Sequence, residues 1–377
     1  MVTAEIVYPL AFPKNTSYKC EICDKPANRV CKKCHCTYYC SEEHQTTDWN
    51  GIHEKICKSL EDLRKKQVFL LSEEERREKD RETRERKINL MEMTRMIGQR
   101  HLFQERYEQA IPAALSSLKL AVDVYGPKSV DLIPSYLILA EASLGLKHLG
   151  QCWEYLSQAQ YTVLQNPNPP LYITSKLYRN LAQLNIARKD YEEALRNLAN
   201  DVYDASTYYG TEHHKVAGGY FLLGKVFKLL NKLEVTDSLY KQVSDMWYTH
   251  LRKLLESRVV WTDMDQILGK KEEEEVPSSA KLDLSTEAEA HITLQTLLSY
   301  RQETSIKQPD QLELNKINHA ISILHFLSRD YTKVTETMSR ITDNQLTEID
   351  EDQALMIKFL NQLGQMRALM KKQQSSL

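Results

Sequence analysis

From about residue 90 onward, small and large side chains recur with a period of 42 residues. Small residues stand at Gly98, Ala140, Ala182 and Gly224, and twelve positions after each come Ala110, Cys152, Ala194 and Thr236. Three before those lie Tyr107, Leu149, Tyr191 and Leu233. Each period predicts a pair of helices, A and B, that approach closely at the two small positions, with the large residue filling the space between them. The phase then breaks at residues 268–283, a charged Pro/Ser-containing stretch (GKKEEEEVPSS) that predicts a flexible acidic loop. Helical patterning resumes near Thr286. Ser322 and Val334, again twelve apart with Tyr331 three before the second, predict a fifth pair shifted out of register. Residues 347–371 predict a terminal helix capping the apolar end of the stack, and 373–377 a frayed tail.

Ahead of the repeats, every residue from 73 to 87 is charged except Thr83, with neither Gly nor Pro. Glu/Arg pairs at helical spacing support an exposed helix by a few tenths of a kcal/mol each. Leu60, Leu63, Val68, Leu70 and Leu71 are placed to pack the start of that helix against the finger. A sustained heptad is missing, so the stretch reads as a solvated helical spacer of roughly 20 Å rather than a coiled coil.

The paired small residues resemble the tetratricopeptide repeat, whose usual period is about 34. A 42-residue period resembles the longer-helix version found in kinesin light chains. Tyr125-Gly126 and Tyr209-Gly210 resemble its turns between repeats, and residues 210–217 (GTEHHKVA) its G-x-x-H-x-x-V-A. The resemblance implies a solenoid with a concave groove lined by the A helices, suited to a peptide or another helical-repeat protein. A clamp for a C-terminal carboxylate needs Asn and Lys at set A-helix places. The residues following the small ones are Gln99, Glu141, Gln183 and Lys225, without asparagine, which leaves Lys176, Arg179 and Asn180 of the third repeat as the candidates. The pair His213-His214 sits in the turn between repeats and reads as turn packing rather than a metal or proton site.

The densest chemistry lies near the N-terminus, in the run C-x2-C-x7-C-x2-C-x5-C-x3-H-x8-H-x3-C. Its members are Cys20, Cys23, Cys31, Cys34, Cys40, His44, His53 and Cys57. Zinc takes four soft or borderline ligands in a tetrahedron, and each C-x-x-C pair sets two thiolates on one tight turn. Eight ligands imply two structural zinc ions, in a segment too short to fold on apolar burial alone.

This spacing resembles the MYND zinc finger, on Cys31-Lys-Lys-Cys34, Tyr39-Cys40-Ser41-Glu42-Glu43-His44-Gln45, Asp48-Trp49 and His53-Glu54-Lys55-Ile56-Cys57. His44 stands where that family usually has cysteine, the gap after Cys34 is one residue longer, and three residues rather than two separate Trp49 from His53. The resemblance implies an interleaved pairing: Cys20, Cys23, Cys40 and His44 at one ion, and Cys31, Cys34, His53 and Cys57 at the other. Cys36 is then a spare thiol. The resemblance also implies a peptide groove at Gln45 and Trp49, with Tyr38 or Ser41 nearby. Trp49 serves equally as part of the finger's small core.

Composition narrows the rest. With 377 residues the chain is long enough for two or three domains, and a net charge of −2 gives no basic footprint for nucleic acid. Seven of eight cysteines lie in the finger region, the usage of a reduced compartment. Residues 1–19 lack a basic n-region, and no apolar run reaches the roughly 18–20 residues of a membrane helix. A soluble intracellular (cytoplasmic) protein is expected. Catalytic motifs are missing: no Gly-rich phosphate loop, GxSxG elbow or HExxH helix occurs, and 19 residues before the first ligand leave no room for the strand-rich methyltransferase domain that some MYND fingers interrupt.

The expectation is an all-α protein with a small two-zinc finger. Its parts are a lead-in (1–17), the MYND finger (18–58), a charged helical linker (59–90), four tetratricopeptide repeats (91–252), the acidic loop (268–283) and a C-terminal helical region with the fifth pair (284–377). The order of finger, charged helix and long-period repeats, with the lead-in YPLAFPK at residues 8–14 and HEKIC at 53–57, resembles MYND-and-tetratricopeptide proteins of motile cilia and sperm flagella. That resemblance implies a non-enzymatic axonemal scaffold, needed for motility, associated with axonemal dynein and partnered by another tetratricopeptide-repeat protein. The competing expectation is a chromatin or transcription adaptor whose finger grips proline- and leucine-containing peptides.

Overall fold

In the computed structural model, residues 4–7, 17–64, 72–261, 282–304, 311–341, 351–354 and 356 are described. Most of the lead-in, Val68, Leu70, Leu71, nearly all of the acidic loop, most of the terminal helix and the tail lie outside them. The chain divides into two compact units, Met1–Tyr208 and Tyr209–Leu377.

The first unit begins with a three-stranded antiparallel sheet, β1 (Ala4–Ile6), β2 (Arg29–Cys31) and β3 (Tyr38–Tyr39), in the order β1-β2-β3. Ala4 faces Cys31 and Val30 faces Tyr38 in its register. Helix α1 (Glu42–Asp48) follows, capped by the Ser41 hydroxyl, which accepts from the His44 N–H at 3.2 Å. A π-helical turn, Trp49–His53, leads directly into α2 (Glu54–Arg64).

Six further helices complete this unit: α3 (Glu73–Phe103), α4 (Tyr107–Tyr125), α5 (Ile133–Gly145), α6 (Leu149–Leu164), α7 (Leu171–Ala187) and α8 (Tyr191–Tyr209). They form sequential hairpins in which α3 packs on α4 and α5 on α6. In the third, α7 and α8 are joined by a buried carboxylate: Asp201 accepts from Arg179 at 2.7 Å and from the Ser175 hydroxyl at 2.6 Å. The first helices of successive hairpins also touch, α3 against α5 and α5 against α7.

The second unit holds α9 (His214–Leu229), α10 (Leu233–Trp261), α11 (Leu284–Thr304), α12 (Gln311–Leu327) and α13 (Tyr331–Met338). Its core joins Trp247, Leu251 and Leu255 of α10 to Leu294 and Leu297 of α11 and to Ile317, Ile321 and Leu324 of α12. The Asp283 carboxylate caps α11, accepting from the Ser285 and Thr286 N–H groups at 2.9 and 2.8 Å. Among the described residues no helix is long and apolar enough to cross a membrane.

The repeating small positions explain the close hairpins. Ala110, Ala140, Ala182, Ala194 and Thr236 are completely buried, and Cys152 nearly so. A Cβ on Gly224 would fall 2.4 Å from the Tyr240 ring, and the Thr236 hydroxyl donates to the Gly224 carbonyl at 3.3 Å. The large residue three positions earlier follows the expectation at Leu149, which packs on the cluster holding Ala140 and Cys152, and departs from it at Tyr107 and Leu233. The Tyr107 ring occupies the space where a Cβ on Gly145 would sit, in the next hairpin, and Leu233 is exposed. Tyr107 shares a helix face with Ala110, three residues on, and packs with it on the cluster that includes Leu139 and Ala142 of the next hairpin.

The turns carry a second 42-residue register. Glu105, Lys147, Lys189 and Asn231 all have positive φ, between 57° and 64°, and Arg329 in the α12–α13 turn has 62°. In each, the following N–H reaches back five residues to a carbonyl: Arg106 to His101, His148 to Ser143, Asp190 to Asn185, Lys232 to Phe227 and Asp330 to His325, at 2.8–2.9 Å. This is the Schellman ending of an α-helix, here built on residues with side chains.

The charged stretch is not a spacer between separate bodies. Residues 59–64 finish α2, and 73–87 are the first part of α3, whose second part is the first helix of the first hairpin. Exposed pairs such as Glu73–Arg77 and Glu78–Arg81, both 2.6 Å, line it, while Lys87 reaches Asp123 of α4 at 3.3 Å. With no Gly or Pro from Glu73 to Ile97, the chain has no break at which to end the spacer and begin the repeat.

Candidate metal centre

Two turns of the same kind present the cysteines. The chain folds back after each C-x-x-C, with the Asp24 N–H donating to the Cys20 carbonyl at 3.1 Å and the His35 N–H to the Cys31 carbonyl at 3.0 Å. Asp24 and His35 take φ of 55° and 52° to do so. Strand β3 delivers Cys40, and the first turn of α1 delivers His44. The π-helical turn ends on His53, and the first turn of α2 carries Cys57.

Two Cys3His clusters result. One gathers Cys20, Cys23, Cys40 and His44, the other Cys31, Cys34, His53 and Cys57, and the donor atoms of each lie within 4.8 Å of one another. A zinc ion about 2.3 Å from sulfur and about 2.0 Å from nitrogen sets its tetrahedral ligands roughly 3.5–3.8 Å apart. Observed separations fit: 3.5 Å from Cys23 Sγ to Cys40 Sγ, 3.5 Å from Cys20 Sγ to His44 Nδ1, and 3.6 Å from Cys34 Sγ to His53 Nε2. The clusters are interleaved along the chain, so two zinc ions would brace the sheet against α1 and α2. Each takes all four ligands from protein, the composition of a structural site.

The two histidines present different nitrogens. His44 points Nδ1 at its cluster. His53 points Nε2, and its Nδ1 lies 3.8 Å from a carboxylate oxygen of buried Asp48. That carboxylate accepts from the Tyr39 hydroxyl at 2.6 Å. A carboxylate is the usual partner of a ligating imidazole's second nitrogen, and here the 3.8 Å gap is longer than a hydrogen bond. Burial pushes Asp48 up to about 6, against the opposing pull of His53 and the Tyr39 O–H. Cys36 stays outside both clusters, and the Cys34 sulfur beside it raises it well above the ordinary thiol range.

One face of the finger is committed to the helices. Ile52, Ile56 and Leu60, spaced by four, enter a single buried cluster with Leu90, Met91 and Ile97 of α3 and Ala113, Leu120 and Ala121 of α4. Gly51 lies so close to α4 that a Cβ there would stand 2.7 Å from the Gln109 carbonyl oxygen. The Gly51 carbonyl in turn lies 3.0 Å from Nε2 of buried His101. Polar ties flank this contact. Lys119 Nζ donates to the Glu21 carbonyl at 2.6 Å, and the Glu21 carboxylate meets Arg64 at 3.1 Å and Lys119 at 3.3 Å. Burial would raise Glu21, but these two cations outweigh it and hold the carboxyl below its usual range. None of these docking residues was marked by ligand spacing. Their signal is the stripe Ile52, Ile56, Leu60, which has nothing to cover within a finger of this size.

The peptide-groove residues are placed unequally. Gln45 is only 2% exposed, and its amide nitrogen has no partner among the described residues. Trp49 is half-buried, tilted against His53 with ring centres 5.7 Å apart, and the Lys33 ammonium stands 4.5 Å over its face. Tyr38 stacks on Tyr18 at 4.0 Å and Ser41 caps α1. The carboxylate-clamp candidates are engaged internally: Arg179 is held by Asp201, and the Asn180 amide donates to the Lys176 carbonyl at 3.1 Å. In the second unit, His213 accepts from the Lys215 N–H at 3.2 Å and stacks on Tyr209 at 5.1 Å, as a cap and turn-packing residue. His214 is buried and stacks on His250 at 3.6 Å. Among the described residues the metal-holding groups are the two in the finger.

Comparison with known proteins agrees with this geometry over the same segment. Residues 20–57 match the MYND finger family. The region is also similar to proteins named programmed cell death protein 2. The one from Bos taurus is 34% identical over 61 residues, 16% of this chain and 17% of its own length. That from Mus musculus is 39% identical over 44 residues, 12% of this chain and 13% of its own. The chain thus spans less than a fifth of the length of these relatives, 17% and 13%, and the likeness is confined to the finger. The N-terminal module is a two-zinc MYND finger, a class of protein-interaction module.

Proposed function

We propose that the chain is a non-enzymatic protein–protein scaffold in which tetratricopeptide-type hairpins bind the partner and the finger is a built-in structural element. The observation that supports this is the contact of α3 with α5 and of α5 with α7, which brings the first helices of three successive hairpins against one another. Successive first helices in contact are what helical-repeat proteins offer to a peptide or to another repeat protein. The equivalent residues Gln99, Glu141 and Gln183 on those helices are only partly buried. Filled Cys3His coordination supports the non-enzymatic part, since catalytic zinc needs an open position. The buried side chain of Gln45 weighs against the chromatin-adaptor reading, which needs it on an open groove.

The cellular setting rests on resemblance. Finger, charged helix and 42-residue repeats in this order, with YPLAFPK at 8–14 and HEKIC at 53–57, resemble zinc finger MYND domain-containing protein 12. On that resemblance the scaffold belongs to the axoneme of motile cilia and sperm flagella, with axonemal dynein and another tetratricopeptide-repeat protein as partners. Proximity labelling from the endogenous chain in multiciliated cells tests this, with axonemal dynein components expected among the labelled proteins. A wholly nuclear pool labelling chromatin proteins would replace it with the adaptor reading.

A further inference from the structure

We propose that the second metal site, formed by Cys31, Cys34, His53 and Cys57, is the latch that holds the finger on the first helical hairpin. The first site is not. The two sites differ in what their ligand segments touch. His53 and Cys57 lie on the π-helical turn and α2, and the same stretch supplies Gly51, Ile52, Ile56 and Leu60 to the contact with α3 and α4. Ile52, Ile56 and Leu60 are 1%, 0% and 5% exposed, so the apolar part of the joint belongs to this segment. A π-helical turn is rare and is kept where its surroundings over-determine it. Here His53 is held by its cluster at Nε2, while its buried Nδ1 faces Asp48 across 3.8 Å. Ligation at His53 therefore sets the position of Gly51 two residues earlier, whose carbonyl meets His101 and whose missing Cβ admits Gln109 and Pro112.

The first site reaches the helices by weaker means. Glu21, between Cys20 and Cys23, reaches the hairpin through Lys119 of α4, whose side chain is 39% exposed and which also donates to the Glu21 carbonyl; its other partner, Arg64, belongs to α2 of the finger. Ion pairs with exposed partners contribute little compared with buried apolar area. Helix α1, carrying His44, also touches α4, but Gln45 and Asp48 are its buried residues and both are polar. Emptying the second site should free the finger from the hairpin, whereas emptying the first should leave the joint in place. The chain's own zinc state would then govern how firmly α3 and α4 are held.

Amide hydrogen exchange on the full zinc-loaded chain tests this without any partner, so its outcome is separate from that of the scaffold reading. Cys34→Ser lies outside the docking helices and should raise exchange in residues 90–103 and 107–121 by about ten-fold or more, while Cys23→Ser changes it by less than about two-fold. Gly51→Val should raise exchange in the same helices while two zinc ions remain bound, and adding Cys34→Ser to it should raise exchange no further. Equal rises from Cys34→Ser and Cys23→Ser, no rise from Gly51→Val, or a further rise in the double variant would each overturn the latch.

Discussion

His101 Nε2, in the last turn of α3, lies 3.0 Å from the carbonyl oxygen of Gly51, fifty residues earlier in the finger. Burial holds this imidazole below its ordinary range, so it is neutral and donates through Nε2. Its partner carbonyl sits in the turn that ends on zinc ligand His53. One hydrogen bond thus joins the helical hairpin to the metal centre.

His101→Ala would leave the Gly51 carbonyl unpaired in a buried joint, at a cost of about 1–3 kcal/mol. Thermal unfolding of the full chain should shift down accordingly while zinc content stays at two per chain. An unchanged midpoint would show that the bond contributes nothing to the joint.

Ala194→Trp places a large ring at a completely buried position of α8. Overpacking of this kind costs about 1–3 kcal/mol, and neighbouring hairpins share the damage because each stabilises the next. Calorimetry should show a lower and broader transition. No change would mean that the small-residue register does not mark the helix contacts.

How much of this was legible depends on whether the signal was local. The eight ligands were legible because C-x-x-C pairs and their partners have fixed spacing, and the hairpins because small residues recur every 42 positions. The turns within hairpins were not, because Glu105, Lys147, Lys189 and Asn231 adopt positive φ without being glycine or, save one, asparagine. By contrast Gly126 and Gly210, with φ of 85° and 92°, announced the turns between hairpins. The docking of finger on helices was expected at Leu60 and Leu63, but its extent escaped because it is a long-range match. Ile52, Ile56 and Leu60 showed a stripe but not its counterpart at Leu90, Met91 and Ile97. The charged run ends at Lys87 and the buried positions begin at Leu90, so the change from solvated to packed helix was legible, whereas the single helix Glu73–Phe103 that spans it was not.

Lys147→Gly and Lys189→Gly should each stabilise the first unit. A left-handed residue with a Cβ is strained by about 1–2 kcal/mol, and the added flexibility of the unfolded chain returns part of this, leaving a net gain of roughly 0.5–1 kcal/mol. Denaturant midpoints measure it, and destabilisation by either variant would contradict the turn geometry.

The second unit should lose stability in mild acid. Burial, with His250 and His213 nearby, holds His214 down to about 2, and burial holds His250 and His319 down to about 4. Lys215 and Lys253 face the His250 site as well, opposed by Asp283. In the unfolded chain these groups take up protons near pH 6.5, so between about 6.5 and 4 the unfolded state binds more protons and stability falls as pH falls. Above about 6.5 their contribution is complete. Unfolding followed by α9–α12 amide exchange should show this slope, and His319→Phe should reduce it. A flat profile over that window would contradict the buried neutral histidines.

The most direct test of the scaffold reading compares two surfaces in one binding measurement. The partner identified by proximity labelling would be titrated against the full chain, against a chain with Lys176→Glu and Gln183→Glu on α7, and against Trp49→Ala in the finger. The account predicts that the α7 changes weaken binding by about ten-fold or more, equivalent to roughly 1.4 kcal/mol, while Trp49→Ala leaves it nearly unchanged. Loss of binding in Trp49→Ala with full affinity in the α7 variant would contradict it.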